Sequence, residues 1–199
     1  MTTAESNALE LSSEAQDLLF RSARTANSFS GAPVTDAHLR AIYDLLRWAP
    51  TSANTQPLRI VAVRTPEARE RLLPLLAEGN RAKTESAPVT LLLAADRRFD
   101  EHLPRLAPFA AGMFTDPRLR EESANYNAIL QAGYAILAVR AAGLAAGPML
   151  GFDGEAIDAE FFPDGRFHVV LVVNVGEPGA QPWFDRLPRL DYEEVVSTL

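Results

Sequence analysis

The sequence predicts a single domain of the α/β or α+β class, in which helix predominates over strand. Two runs, 89–95 and 167–175, have the continuous apolar character of strands that are buried on both faces. Longer segments with helical spacing of apolar residues separate them. The length of 199 residues suits one domain of about 150 residues with a small excursion. A hydrophobic content of 47% is that of an ordinary globular chain.

The N-terminal part of the chain predicts two helices. Ser13 and Gln16 match a capping box, which predicts a helix over 13–22. Thr35 is the predicted N-cap of a second helix, whose apolar residues recur at helical spacing. This second helix must end near Trp48, because a proline follows two residues later and disfavours helical conformation just before it.

The middle of the chain predicts two strands with a helix between them. Residues 60–63 form a short β-branched run, which is typical of a strand. Pro66 follows a threonine and suits the first position of a helix, which Gly79 is expected to end. The buried run 89–95 then supplies the second strand.

The C-terminal part predicts the longest helix and a short final one. Residues 97–118 mix charges with prolines and show no clean period, so we expect an irregular excursion. Residues 121–142 are nearly all apolar or small and predict a central helix, with Gly143 at its C-terminal end. Asp191, followed by glutamate three residues later, caps a last short helix.

Composition excludes several classes of protein. Without cysteine there is no disulfide framework, thiol nucleophile, iron–sulfur cluster or cysteine-ligated zinc. The net charge of −7 argues against nucleic acid as a partner. The first twenty residues contain no Lys or Arg, unlike a targeting segment, and the longest uncharged stretch, 123–139, is too short and too polar to span a membrane. We therefore expect a cytoplasmic protein that binds small molecules and neither nucleic acid nor membrane.

Common catalytic and nucleotide-binding fingerprints are missing. The sequence has no P-loop, no strand-coupled Gly-x-Gly-x-x-Gly and no Gly-x-Ser-x-Gly elbow. His38, His102 and His168 are isolated, and we interpret them as surface or hydrogen-bonded structural histidines. No metal site is predicted.

The loop from Pro50 to Pro57 is the most unusual segment. It places Thr51, Ser52, Asn54, Thr55 and Gln56 between two apolar elements. Such side chains offer donors and acceptors without charge, which suits a neutral ligand rich in heteroatoms, such as a flavin ring or its ribityl chain. The alternative is a connecting loop that bonds its own backbone.

Two further features could bind a ligand. Arg24 and Arg186 are remote in sequence and could converge on a phosphate, because a guanidinium donates twice to one phosphate; the alternative is two solvated surface arginines. Gly151 could let backbone N–H groups approach a ligand closely, with Asp153 capping the next helix; the alternative is a turn between two helices.

Taken in order, these segments resemble the FMN-dependent nitroreductase family over residues 24–188. The resemblance is closest to the malonic semialdehyde reductase branch of pyrimidine degradation. The matching motifs are Arg24-Thr25, the Pro50–Pro57 loop, Asn80-x-x-Lys83, Pro148-Met149-Leu150-Gly151-Phe152-Asp153 and Arg186-Leu187-Pro188. The resemblance implies an α+β nitroreductase-like fold, with a central mixed β-sheet flanked by helices. It also implies a homodimer with FMN at the interface.

The resemblance also implies roles for individual residues. Arg24 and Arg186 would hold the FMN phosphate, with Thr25 beside it. Asn80 and Lys83 would reach the ribityl chain and the pyrimidine edge, where a cation stabilises reduced flavin.

Backbone and partner contributions are implied as well. The Leu150–Gly151 backbone would donate to flavin N5. The partner subunit would supply a loop that closes over the flavin, with Pro50, Thr51, Ser52 and Asn54 as its binding residues.

Three positions depart from the family pattern. The family often has basic residues where this chain has Ala23, Asn27 and Phe184. Asn27 would still face the flavin pyrimidine, so it stays among the predicted cofactor-binding residues. The loss of three cations predicts weaker FMN binding rather than a different fold.

The implied chemistry is a ping-pong oxidoreduction in which NAD(P)H passes a hydride to flavin N5 and an oxidised substrate then takes the same place. No side chain need act as nucleophile or general acid, although an aldehyde would need a proton from water or from a hydroxyl such as that of Thr51. The leading substrate is 3-oxopropanoate, reduced to 3-hydroxypropanoate, with Arg81, Arg105 or Arg118 meeting its carboxylate. The alternatives are a broad nitroaromatic or quinone reductase and a flavin-binding protein without turnover.

Overall fold

The computed structural model describes residues 9–199, and the first eight residues of the acidic N-terminal stretch lie outside the described part. Its four strands are β1 (Leu58–Val63), β2 (Val89–Asp96), β3 (Ala145–Met149) and β4 (Phe167–Gly176). They form one sheet in the order β1-β2-β4-β3, and each neighbouring pair is antiparallel.

The predicted mixed sheet is therefore wrong for the described residues of one chain. A parallel pair needs a crossover that brings the chain back to the end of the sheet where the first strand began. Here the segment 150–166 leaves β3 and enters β4 at the same end, so Ala145 pairs with Gly176 and Met149 with Val172. The α+β class itself is confirmed.

Helices flank the sheet. They are α1 (Ser13–Gln16, continuing as a π-helical turn over Asp17–Arg21), α2 (Asp36–Leu46), α3 (Pro66–Leu72), α4 (Glu78–Ser86), α5 (Leu103–Leu106), α6 (Pro117–Ala141), α7 (Gly154–Phe161) and α8 (Tyr192–Val195). Two predicted caps are in place: the Thr35 hydroxyl accepts from the His38 amide, and Asp153 accepts from the Ala156 amide. The predicted capping box of α1 is wrong, because the Ser12 hydroxyl rather than that of Ser13 caps this helix, by accepting from the Ala15 amide.

The long helix α6 ends as predicted. The amide of Gly143 donates to Arg140 O and that of Leu144 donates to Val139 O, which closes the last turn. Gly143 has φ +78°, a left-handed conformation that costs glycine nothing. The excursion 97–118 contains the helical turn Phe99–His102 and α5, and its last two residues already belong to α6.

Gly79 does not end α3, contrary to the prediction. That helix ends at Leu72, just before Pro74, and Gly79 lies in the first turn of α4. The polar sequence of α4 has almost no apolar periodicity, so the sequence gives no helical signal there.

Strand β3 also differs from the sequence prediction, which offers at most a turn between two helices near this segment. Gly147 and Pro148 are poor strand formers, but β3 pairs only with β4 and Pro148 is tolerated at such an edge. A Cβ at Gly147 would lie 2.7 Å from Ala26 O, so only glycine lets residue 26 approach this strand.

The core lies on both faces of the sheet, as the continuous apolar runs predict. On one face, Leu91 and Leu93 of β2 pack with α2 and α6. On the other, Leu92 packs with Leu72 of α3 and Ile157 of α7. Because side chains alternate along a strand, every residue of β2 is buried. Among residues 9–199, no helix is long and apolar enough to cross a bilayer.

Candidate functional site

The edge strand β3 is the axis of the candidate site. The Ala26 amide donates to Ala146 O (3.0 Å), which places residues 24–27 beside the first half of the strand. Leu150 and Gly151 follow the strand at its other end. A strand rises about 3.3 Å per residue, so the two ends of β3 are separated by on the order of 13 Å.

At the first end, Arg24, Thr25, Asn27 and Arg186 line one cavity of about 330 Å³, which we call the arginine pocket. One guanidinium NH₂ of Arg186 donates to Arg21 O (2.7 Å) and to Ala23 O (3.1 Å), so the C-terminal segment is fastened beside the residues that follow α1. The structure thus brings together two arginines that lie more than 160 residues apart.

The same pocket contains two arginines that the sequence prediction did not include, Arg140 and Arg189. Arg189 donates to Leu187 O and Pro188 O. Arg140 lies in the last turn of α6, where a cation is usually explained by the helix dipole, so its sequence position did not point to a pocket. Burial, and then the charge of Arg186, lower the pKa of Arg140.

At the second end of β3, Asn80 and Gly151 form a tight contact. The Asn80 side-chain amide donates to Gly151 O (2.7 Å), and the Ala77 amide donates to the same carbonyl (2.9 Å). A Cβ at position 151 would lie 2.6 Å from Asn80 Nδ2 and 3.2 Å from the Ala77 Cβ. Leu150 is 74% exposed, so this turn presents its backbone at the surface.

Lys83 lies one turn along α4 from Asn80, on the same side of the helix. Partial burial lowers the pKa of Lys83. Helix α4 is joined to the sheet by a buried network in which Asn174 donates to Thr84 Oγ1 (2.9 Å) and accepts from Thr90 Oγ1 (2.8 Å). This network is not among the predicted features, although Thr90 and Asn174, polar residues within the two apolar strands, are a signal for it.

The Pro50–Pro57 loop has a strained backbone. Ala53, Asn54 and Gln56 have φ of 48°, 52° and 43°, a left-handed conformation that disfavours side chains other than those of Asn and Asp. Such residues cost about 1–3 kcal/mol each and persist where the surroundings hold them, often at functional sites.

The surroundings of this loop are α6 and the excursion. Two side-chain amide oxygens of α6 accept from backbone N–H groups at the start and just after the end of the loop. Asn127 Oδ1 accepts from the Ser52 amide (2.7 Å), and Gln131 Oε1 accepts from the Leu58 amide (3.0 Å). The Asn54 side-chain amide donates to Leu106 O (3.0 Å). The loop, with Pro50 and Thr51 at its start, is therefore anchored to α6 and the excursion, whereas the other predicted residues lie along β3 and α4.

The three histidines have structural partners. His38 Nδ1 accepts from the Thr35 amide (3.1 Å). His168 Nδ1 lies 2.6 Å from Asp158 Oδ2, and His102 lies 3.8 Å from the buried Asp96.

The sequence pattern of the nitroreductase family matches residues 20–177. The chain belongs to the nitroreductase family. The matched nitroreductase region contains Arg24, Asn80, Lys83 and Gly151, while Arg186 follows it.

Known proteins resemble the chain over nearly its full length. A candidate NADH dehydrogenase/NAD(P)H nitroreductase of Streptomyces coelicolor is 56% identical over 92% of this chain and 93% of its own length. The crystal structure of a candidate nitroreductase of Bacillus subtilis matches with a TM-score of 0.82 at 23% identity, covering 94% and 99% of the two chains. That of an Exiguobacterium sibiricum nitroreductase in complex with FMN gives 0.83 at 16% identity, covering 96% and 99%.

Proposed function

We propose that this nitroreductase-family protein is an FMN-dependent NAD(P)H oxidoreductase. The observation that carries the proposal is the arrangement along β3, with the arginine pocket at one end and the Asn80–Gly151 contact at the other. This order matches FMN, which has a phosphate at one end, a ring at the other and the ribityl chain between them. The Exiguobacterium relative with FMN and the NAD(P)H activity in the name of the Streptomyces relative support the same assignment.

The residues present fit the cofactor. Arg24 and Arg186 would hold the phosphate, with Thr25 and Asn27 on the same pocket wall. The missing Cβ at Gly151 lets the side chain of Asn80 pack directly against this turn, so Asn80 and the backbone of 150–151 lie together where the resemblance expects the flavin ring. When bound, FMN accepts a hydride from NAD(P)H and delivers it to an oxidised substrate. Lys83 would stabilise the negative charge of the reduced ring, since it lies one turn from Asn80 on the same side of α4.

We propose that the functional unit is a homodimer. The long helix α6 is apolar on both sides: one side packs into the core, and the other exposes the neighbouring side chains of Tyr126, Ile129, Leu130 and Tyr134. The strained loop is anchored to this same helix. A second copy packed on α6 would therefore receive the loop residues Pro50, Thr51, Ser52 and Asn54 at its own flavin site.

For the substrate, we propose 3-oxopropanoate, reduced to 3-hydroxypropanoate. Of the three arginines considered for its carboxylate, Arg81 donates to backbone carbonyls and Arg118 pairs with Glu122. Arg105 directly precedes Leu106, whose carbonyl accepts from Asn54, so it lies nearest the loop. The Thr51 hydroxyl accepts from the Gln56 amide and keeps its own proton to donate to the developing alkoxide.

The second candidate function is a broad nitroaromatic or quinone reductase. The name of the Streptomyces relative, at 56% identity, favours it. Both functions share the flavin step and differ only in the acceptor.

One preparation tests these proposals in order. The purified protein should be yellow and should bleach when NADPH or NADH is added without oxygen. Steady-state turnover is then compared for 3-oxopropanoate, a quinone and a nitroaromatic compound. In the R105Q variant, the KM for 3-oxopropanoate should rise about tenfold while the KM for an uncharged quinone stays constant, because only the carboxylate needs a cation.

Each outcome has a definite meaning. Aldehyde turnover far below quinone turnover would refute the 3-oxopropanoate assignment and favour the second function. Bound flavin that is reduced by neither nucleotide would indicate a flavin-binding protein without turnover. A colourless protein that takes up no FMN would refute the proposed function itself.

A further inference from the structure

The arginine pocket holds more positive charge than the phosphate residues predicted from the sequence supply. Four arginines line it, and Asp185 is the one acidic residue among its lining residues. Within residues 9–199, none of these four guanidiniums lies within 4.0 Å of a carboxylate, although nine arginines elsewhere do. Clustered cations without a counter-ion repel one another, so the pocket is suited to an anion.

Arg140 is the member of the cluster with a buried donor that lacks an acceptor in the described part of the chain. Its Nε is buried and has no hydrogen-bond partner among the described residues. Within residues 9–199 it makes one hydrogen bond, a long one from NH1 to Leu19 O (3.3 Å). Arg140 lines the cavity, so a bound oxyanion would offer its guanidinium acceptors that the described residues do not supply.

Ala23, Asn27 and Phe184 are the positions at which the resemblance to the family implies basic residues that this chain lacks. All three of these residues line the arginine pocket. Arg140 reaches the same cavity from a different element, the C-terminal turn of α6. Helix α6 thus brings a cation to the cavity beside three uncharged residues of the segments that flank it.

We propose that Arg140 is a phosphate-binding residue of this protein and replaces the missing family cations. The proposal rests on the proposed FMN-dependent function, because it assigns the phosphate monoester of FMN as the anion. It also assigns a cost: without a phosphate, the charge of Arg140 opposes that of its neighbours, as the effect of Arg186 on its pKa indicates.

The test is a comparison of FMN with riboflavin, which has the same ring and ribityl chain without the phosphate. Apoprotein is titrated with each flavin, and binding is followed by quenching of flavin fluorescence. R140Q should weaken FMN binding about tenfold and leave riboflavin binding unchanged, whereas R140K should retain most of the affinity for FMN. R140M, which keeps the aliphatic stem, replaces R140Q if that variant does not fold. R118Q, on the first turn of the same helix and paired with Glu122, is the matched control and should change neither affinity.

Thermal unfolding gives an independent readout. Inorganic phosphate should raise the Tm of wild-type apoprotein, because it binds the folded state alone. R140Q should show a higher Tm without phosphate and a smaller gain with it. If R140Q loses FMN and riboflavin affinity equally, or if phosphate protects it as well as wild type, Arg140 has only a structural role. If wild type binds neither flavin, the proposed function fails instead.

Discussion

Gly151 is the residue of the site with the least room for a side chain. The G151A variant would force the Asn80 amide away from Gly151 O, because the new Cβ would lie 2.6 Å from Asn80 Nδ2. The Asn80 side chain can move, so the protein should fold. Its displaced amide would then no longer be positioned for the flavin. We expect FMN affinity to fall at least tenfold, measured by fluorescence titration, with an unchanged far-UV circular dichroism spectrum.

Gly79 provides the matched control for that substitution. It lies in α4, has no heavy atom within 4 Å of an added Cβ and has no positive φ. G79A should leave FMN affinity unchanged and raise the free energy of unfolding by about 0.4–1 kcal/mol, because alanine restricts the unfolded chain. Equal FMN affinity for G151A and G79A would show that the close contact at Gly151 does not serve the cofactor.

Among single residues, the sequence predicts those that belong to recognisable motifs. It does not predict those that join the pocket only because the fold brings them there. Arg24 and Arg186 were identified together because each belongs to a motif, and they share one pocket. Arg140 was missed because a basic residue at the end of a helix has an ordinary local explanation. Only the fold shows which cations share a cavity.

Among the elements, α6 holds the strained loop through a pair of amide side chains. Removing Asn127 leaves the Ser52 amide without its acceptor. N127A should lower the free energy of unfolding by about 1–3 kcal/mol, the cost of an unsatisfied buried group, as measured by urea denaturation. E122Q, at an exposed position on the same helix, should change it by less than about 0.5 kcal/mol. A loss as small in N127A as in E122Q would contradict the assigned role of the helix.

The end of β2 fastens the other side of this loop through Asp96. The carboxylate accepts from Arg59 (2.8 Å) and from Arg166 (two bonds of 2.9 Å), and Arg59 also donates to Gln56 O (3.0 Å). Burial by itself would raise the pKa of Asp96, but the Arg166 side chain, the Arg98 amide and the two cationic charges outweigh it and lower that pKa.

A lowered pKa makes stability depend on pH in a definite direction. The folded state binds the Asp96 proton more weakly than the unfolded state, so its stabilisation is complete above about pH 4, the ordinary range of an aspartate, and is lost as pH falls further. Urea unfolding between pH 3 and pH 6 should show this loss for wild type and a weaker one for D96N. D96N should also be less stable at neutral pH, because the two arginines lose their counter-ion. Parallel pH profiles would contradict this role.

Apolar periodicity and its absence explain which elements could be predicted. Strand β2 was predicted correctly because all of its residues are buried, which leaves a continuous apolar run. Helix α4 was missed because its stability comes from the buried Asn174 network and from packing rather than from an apolar stripe. Strand β3 was missed because Gly147 is there to admit the backbone of Ala26.

For the molecule as a whole, the α+β class and the nitroreductase family could be predicted from the sequence, but the strand directions could not. Apolar runs show that a strand is buried and do not show which way its neighbour runs. The arginine pocket and the loop anchored to α6 likewise lie in different places on one chain. Their separation is what the proposed homodimer explains, since a second copy would bring a loop to the open side of each pocket.

The exposed side of α6 is the place to test that assembly. Ile129 is 59% exposed, with Tyr126 and Leu130 beside it, and a lysine there would leave a charge buried in the dimer interface. In size-exclusion chromatography with light scattering, wild type should be a dimer with twice the chain mass of 21.7 kDa. I129K should be a monomer with the mass of one chain. I129K should also lose FMN, because the partner's loop is absent. A159K, at an exposed position of α7 on the opposite face of the sheet, should remain dimeric and keep FMN. If I129K stays dimeric and yellow, α6 is not the interface; if wild type is monomeric and still binds FMN, the site is complete in one chain.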